Sequence, residues 1–307
     1  MEPRTALARL GDVAERGLPL LRRLASTARR AADELSERLL GSDFEARVRV
    51  LRERYTALGG DPFGFDPETA RHAAMVSAFF HRMYFRTEVY DVDHVPAGRV
   101  MLIANHSGQI PIDAAIIGCA LFFDANPPRV TRAMVEKWTA TLPFVSMFFN
   151  RVGQVVGVPE NARRLLAMDE LLLAFPEGIR GVAKPFAKRY ELEEFGHGFM
   201  RLAIETKTPI VPVAVIGAEE QYISLGNLNW AAKALNLPVF PLLPQMLIPG
   251  GQMPLPTKYR LFFGEPMYFE GDPDDDDALV ADKVYLVKQS ISHMLRRGLN
   301  QRRSVFF

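Results

Sequence analysis

Arg99-Val-Met-Leu-Ile-Ala-Asn-His-Ser-Gly-Gln-Ile-Pro-Ile-Asp113 is the stretch on which the reading of this 307-residue chain turns. Val100 to Ala104 is an unbroken apolar run of strand length, and the chain becomes polar immediately after it. That pattern predicts a buried strand delivering His106 to a turn. Asp113 follows seven residues later. A His with a carboxylate to orient it is a minimal general base, because the carboxylate fixes the tautomer and offsets the imidazolium that forms on proton uptake. A His beside an Asp is also an ordinary structural hydrogen bond, so the pair carries chemistry only in company.

The company comes from two more strand-like runs. Leu171-Leu-Leu-Ala-Phe175 ends in the turn Pro176-Glu-Gly-Ile-Arg-Gly181, and Pro209-Ile-Val-Pro-Val-Ala-Val-Ile216 ends at Gly217. Several buried strands spilling polar residues from their C-terminal ends is how open α/β sheets build sites. The pattern predicts an α/β fold with a largely parallel central sheet, covered by helices on both faces, and an N-terminal helical arm. The three landmarks, Asn105-His106 through Asp113, Phe175 through Arg180 and the strand from Pro209, resemble the glycerolipid acyltransferase family, in family order, over about Val89 to Phe269.

The resemblance implies acyl transfer from a thioester, on coenzyme A or an acyl carrier protein, to a lipid hydroxyl. His106 would be the base and Asp113 its partner, with no covalent acyl-enzyme, no further cofactor and no metal. Glu177, Gly178 and Arg180 would belong to the acceptor site. Arg180 suits a phosphate through its planar fork, Gly178 allows close backbone approach, and Lys137 is a second candidate for phosphate contact or else a solvated helix-start Lys. Backbone N–H groups in the His106 and Glu177 turns are candidates for stabilising an oxyanion.

Two departures stand out. Six residues separate His106 from Asp113 where the family has four, so the Gly108 and Pro111 turn must absorb two. Where many members carry an Arg, this chain reads Val158-Pro-Glu-Asn161, leaving Arg163, Arg164 or Lys184 as substitutes. The simplest acceptor is lysophosphatidic acid; a neutral alcohol such as diacylglycerol is the alternative. A hydrolase using Ser107 lacks the Gly-x-Ser-x-Gly frame, and a lipid-binding protein without turnover is the non-enzymatic reading.

Composition sets bounds. Hydrophobic residues make up 48% and the net charge is +1, so nothing calls for nucleic acid. Cys119 is the single cysteine, excluding an internal disulfide and reading as a small buried hydrophobe. No secretory signal is expected at Met1-Glu-Pro-Arg-Thr, and no uncharged apolar run free of helix breakers is long enough to span a bilayer. The expected location is cytoplasmic, peripheral to a membrane.

Domain boundaries are predicted at 1–58 for a basic amphipathic arm and 68–300 for the acyltransferase domain. Leu21, Leu24, Ala28, Ala31, Leu35 and Leu39 form one stripe, and seven Arg face three acids through Ala32. Such a helix lies on an anionic bilayer or packs on the domain. Gly59 to Pro67 is a Gly/Pro loop. The following helix, opened by Pro67, should carry Met75, Phe79, Phe80, Met83 and Tyr84 into the core. Trp138 to Phe149 reads as an apolar helix. Ala234 to Thr257 holds 24 residues with no charge and six prolines, which suits a membrane-dipping loop, an acyl-channel wall or a buried connection. The run Asp272 to Asp277 reads as the acidic start of a final helix, Ala278 to Arg297, rather than a metal site.

Overall fold

The computed structural model describes residues 27, 30, 33–106, 112–234 and 239–307. Ser107, Gly108 and Pro111, most of the arm with its Leu/Ala stripe, and residues 235–238 of the uncharged run lie outside them. Contacts divide the chain into two compact units, 1–44 and 45–307. In the first unit the described residues 33–40 are helical, and Gly41 closes that helix at φ +83° with its N–H donating to Glu37 O at 2.8 Å.

The second unit begins within α1 (Phe44–Ala57), which α2 (Pro67–Ala78) follows. Asp66 caps α2, accepting the backbone N–H groups of Glu68 and Thr69, which satisfies two of the donors a helix start leaves open. Seven strands follow: β1 (Glu88–Tyr90), β2 (Val100–Ala104), β3 (Thr131–Val135), β4 (Val155–Val156), β5 (Leu171–Ala174), β6 (Ile210–Ile216) and β7 (Arg260–Phe263). Their order is β1-β7-β6-β2-β5-β3-β4, and only β6 with β7 is antiparallel. Each of the seven expected strands is present.

Helices α3 (Ile112–Phe123), α4 (Val145–Arg151), α5 (Pro159–Ala167), α6 (Ile179–Val182), α7 (Gly198–Thr206), α8 (Asn229–Ala234) and α9 (Asp277–Gln301) complete the unit. Alternation along the strands sorts the core. Ile103, Leu172, Ala214 and Phe262 meet α5, α7 and α9 on one face, while Leu102, Leu173, Val213 and Leu261 meet α3 on the other. Both faces are dry, which is why the strands read as continuous apolar runs instead of alternating ones.

Two expectations need correction. Beyond α2 the chain continues as a π-helical stretch, Phe79–Tyr84, whose wider turn changes which side chains face inward. Ala78, His81 and Phe85 are buried, whereas Met75, Phe79 and Met83 are exposed. The single apolar helix expected from Trp138 to Phe149 is instead a 3₁₀ turn, Lys137–Thr141, followed by α4. Pro143 breaks it, and Phe144 adopts φ +64° between the two pieces.

A buried charge cluster ties α1 to the sheet. Arg132 of β3 is fully buried against Asp61 at 2.6 Å and Glu170 at 3.5 Å, and Tyr55 donates to Glu170 at 3.0 Å. Pairing and hydrogen bonding are what permit such charges inside. Asp277, from the acidic run, is an ion-pair partner of Arg201 at 2.7 Å.

Candidate active site

The parallel strands β2, β3, β5 and β6 all end at one edge of the sheet. At the end of β2 the Asn105 side chain takes over the ladder: its Oδ1 accepts the Val215 N–H at 2.8 Å and its Nδ2 donates to Val215 O at 3.0 Å. The side chain mimics a paired strand residue, so the main chain can leave the sheet while its end stays pinned.

His106 comes next. Its ring Nδ1 is 2.8 Å from Asp113 Oδ2, and the ring stacks on Phe175 with centroids 4.1 Å apart and planes 20° apart. Asp113 lies fully buried in the first turn of α3, where the helix dipole favours a carboxylate, and its Oδ1 accepts the Ala114 N–H at 2.8 Å. The longer His–Asp spacing is therefore compatible with contact. With a carboxylate accepting at Nδ1, that nitrogen carries the proton and Nε2 keeps the lone pair.

Below the ring a row of buried charges holds the backbone. Glu177 Oε1 accepts the His106 main-chain N–H at 2.9 Å, and its Oε2 accepts the Glu193 N–H at 2.8 Å. That bond removes the His106 N–H from the oxyanion role its turn suggested. Lys184 Nζ sits 3.3 Å from Glu177 Oε2, donates to Glu191 O at 2.9 Å, and donates to Glu219 Oε1 at 3.3 Å. Burial pushes Glu219 up to about 7, against the pull of Lys184. Tyr190 donates its main-chain N–H to Glu219 and its hydroxyl to Glu220, which Arg302 grips through both oxygens at 2.6 and 2.7 Å.

Gly178 takes φ +56° as the chain turns into α6, a conformation costly for a residue with a Cβ. Gly181 has a different reason to be glycine. A Cβ there would lie 2.9 Å from His106 Cβ and from Glu177 Cβ, so α6 rests directly on the His backbone. Gly181→Ala should displace His106, lowering the turnover number at least tenfold and costing about 1–3 kcal/mol by overpacking. Initial rates and thermal melts of the variant measure both, and a wild-type rate would show that the contact is not close.

The other candidates are dispersed. Arg180 is exposed and bonded to Glu194, at 3.2 Å to the carboxylate and 2.8 Å to the carbonyl. Lys137 is exposed on the 3₁₀ turn after β3. Arg163 pairs with Glu205 at 2.7 Å, and Arg164 covers the Phe63 ring at 5.1 Å. Of the suggested substitutes Lys184 alone reaches the site, and there it is spent on carboxylates.

His106 lines a cavity of about 660 Å³ with Gly178 and Phe175, within the ~300–1,000 Å³ usual for small-molecule sites. Its walls are mostly apolar: Ala115, Cys119 and Phe122 of α3, Val145 and Phe148 of α4, and Val239 and Pro241 from the uncharged run. Its two arginines are engaged, Arg71 with Glu45 and Arg129 with the carbonyls of Pro96 and Gly98. Burial pushes the Cys119 thiol up to about 12, which makes it inert.

The family model and the sequence relatives point the same way. The Acyltransferase family model matches residues 86–216, from β1 through β6. An uncharacterized protein of Mycobacterium leprae is 35% identical over 279 residues, covering 87% of this chain and 76% of its own. The mouse protein named DGAT1/2-independent enzyme synthesizing storage lipids is 25% identical over 207 residues, covering 66% and 59%. Among solved structures, the 1-acyl-sn-glycerophosphate acyltransferase PlsC of Thermotoga maritima matches with a TM-score of 0.48 and 17% identity, covering 77% of this chain and 83% of its own. With its motifs, its sheet and its family match in agreement, the chain belongs to the glycerolipid acyltransferase family.

Proposed function

We propose that the protein transfers a fatty acyl group from a thioester to a lipid hydroxyl, with His106 as general base. The observation carrying this is the His106–Asp113 bond at 2.8 Å beside an apolar cavity. His106 Nε2 takes the hydroxyl proton, and the lipid oxygen attacks the thioester carbonyl. The C–S bond then breaks, and the leaving thiolate, of coenzyme A or a carrier protein, recovers the proton from the imidazolium. Glu177, Lys184 and Glu219 act as positioning residues for the His106 backbone, so Glu177 meets the acceptor only indirectly.

Lysophosphatidic acid is the simplest acceptor, although its phosphate candidates Lys137 and Arg180 stand outside the cavity lining and Arg180 is bonded to Glu194. A neutral lipid alcohol is a second reading with its own support: both cavity arginines are engaged, the walls are apolar, and the mouse relative is named for storage lipids. Thiol release by the purified protein with a long-chain acyl-CoA, measured with lysophosphatidic acid, monoacylglycerol and diacylglycerol, tests this. A preferred acceptor should raise release at least tenfold over none. Silence with every lipid alcohol would contradict the proposal.

We also read a bilayer as the surface from which substrates enter. Two segments that share the cavity wall expose large apolar side chains: Phe144 (81%), Met147 and Phe148 in one, Trp230 (73%), Leu247 (85%) and Ile248 in the other. Exposed side chains of that size and apolarity suit an apolar partner. Lys137, Arg151 and Lys233, exposed cations in or beside these segments, suit anionic headgroups. No described helix is long and apolar enough to cross a membrane. Phe144→Glu combined with Leu247→Glu should weaken co-sedimentation with phosphatidylglycerol vesicles at least tenfold without changing the melting temperature; unchanged binding would remove this surface from the account.

A further inference from the structure

A second cavity, of about 330 Å³, is lined by Glu88, Tyr90, Lys258, Arg260, Gln301 and Arg303, with Phe307 beside them. Its chemistry is unlike the first. Three cations face one carboxylate, and that carboxylate is already saturated. Glu88 Oε1 pairs with Lys258 Nζ at 2.6 Å, while its Oε2 takes Arg260 Nε at 2.8 Å and the Tyr90 hydroxyl at 2.9 Å. Arg260 is only 8% exposed, and its Nη1 is buried without an acceptor. The guanidinium charge is matched by Glu88, but one of its buried N–H groups still lacks an acceptor, and Lys258 and Arg303 leave the cavity with more cations than carboxylates. That excess of positive charge suits an anionic ligand with several acceptor atoms.

Strand register locates the cavity relative to His106. Arg260 pairs with Ile216 of β6, and the neighbouring Val215 is the residue Asn105 grips from β2. Arg260 is therefore level with the Asn105–His106 turn, two strand spacings away along the same edge, about 10 Å. Phe262, two residues on from Arg260, packs in the α9 layer, and Tyr90 stacks on it at 4.6 Å. The cavity thus opens on the α9 side of the edge, with the His106 cavity on the α3 side.

We infer that this cavity binds a phosphate group. Arg303, exposed at the rim, offers a guanidinium fork of the geometry that matches phosphate oxygens in pairs, and Lys258 and the Glu88-held Arg260 add positive charge around the cavity. The ligand is a phosphate-bearing molecule; a thioester donor, a phospholipid and free phosphate share that chemistry. The inference is independent of the role of His106, because binding can be read without turnover.

The test is phosphorus NMR and calorimetry on the full chain, titrated in turn with inorganic phosphate, coenzyme A and a lysophosphatidic acid micelle. Saturable binding of at least one, weakened tenfold or more in both Arg260→Gln and Arg303→Gln, is the expected result. Arg303 is exposed, so its variant keeps the test valid should Arg260→Gln fail to fold. Among the probes, a selective loss with coenzyme A assigns the site to the donor and one with the micelle assigns it to lipid, while equal losses assign it to free phosphate. No saturable binding by any probe, or binding indifferent to both substitutions, overturns the inference.

Discussion

His106→Ala should lower thiol release from acyl-CoA in the presence of a lipid acceptor by about 10²–10⁴, the usual contribution of a positioned general base. The ring is stacked on Phe175 and partly buried, so removing it also leaves a small void, but the fold should persist. The sheet end is held by the Asn105 side chain and by the His106 N–H bond to Glu177, neither of which uses the imidazole. Thermal melts close to wild type, alongside the lost rate, distinguish a chemical role from collapse. Asp113→Asn should give a smaller loss with the same sign, since an amide can still bond Nδ1 but offsets no charge. Full activity in His106→Ala would remove the proposed base.

Lys184→Met should be the most destabilising single change near the site. It leaves Glu177 and Glu219 facing each other in a buried space with no cation between them, and breaking a buried pair in this way costs about 3–5 kcal/mol. Activity should fall with stability, because Glu177 anchors the His106 main chain; denaturant titration and initial rates measure the two. Glu219 gives the same cluster a pH signature. Its carboxyl is raised from 4.5 to about 7 by burial, so between those values the folded protein holds a proton that the unfolded chain has lost. Stability from this group is full below about pH 4.5 and is lost as pH rises towards 7. Glu219→Gln should flatten that part of the stability profile, whereas an unchanged slope would mean the proton resides elsewhere.

Much of this architecture was legible in the sequence because the strands are buried on both faces. Leu171–Ala174 and Ile210–Ile216 stand out as short apolar runs between polar turns, and each emerged within a residue or two of its expected bounds. The His–Asp contact was also readable, since two residue types with complementary chemistry lay seven residues apart. What escaped was set by packing at long range. Nothing near Lys184 in the sequence announces that it lies between Glu177 and Glu219, 35 residues on. Arg132 is likewise an ordinary strand residue until Asp61 and Tyr55 are folded against it. Gly181 carried a usable signal: a glycine three residues after Gly178, on a helix too short to have needed one. The misread face beyond α2 has a local cause, since the π-helical turn shifts the period that an α-helical stripe assumes.

The most direct test of the central claim is a single-turnover measurement with purified protein in excess over a long-chain acyl-CoA, with and without a lipid alcohol. Direct attack by a deprotonated acceptor predicts thiol release only when the alcohol is present, matched one for one by new ester. Release at the same rate without any alcohol, or an acyl group found covalently on the protein, would contradict it.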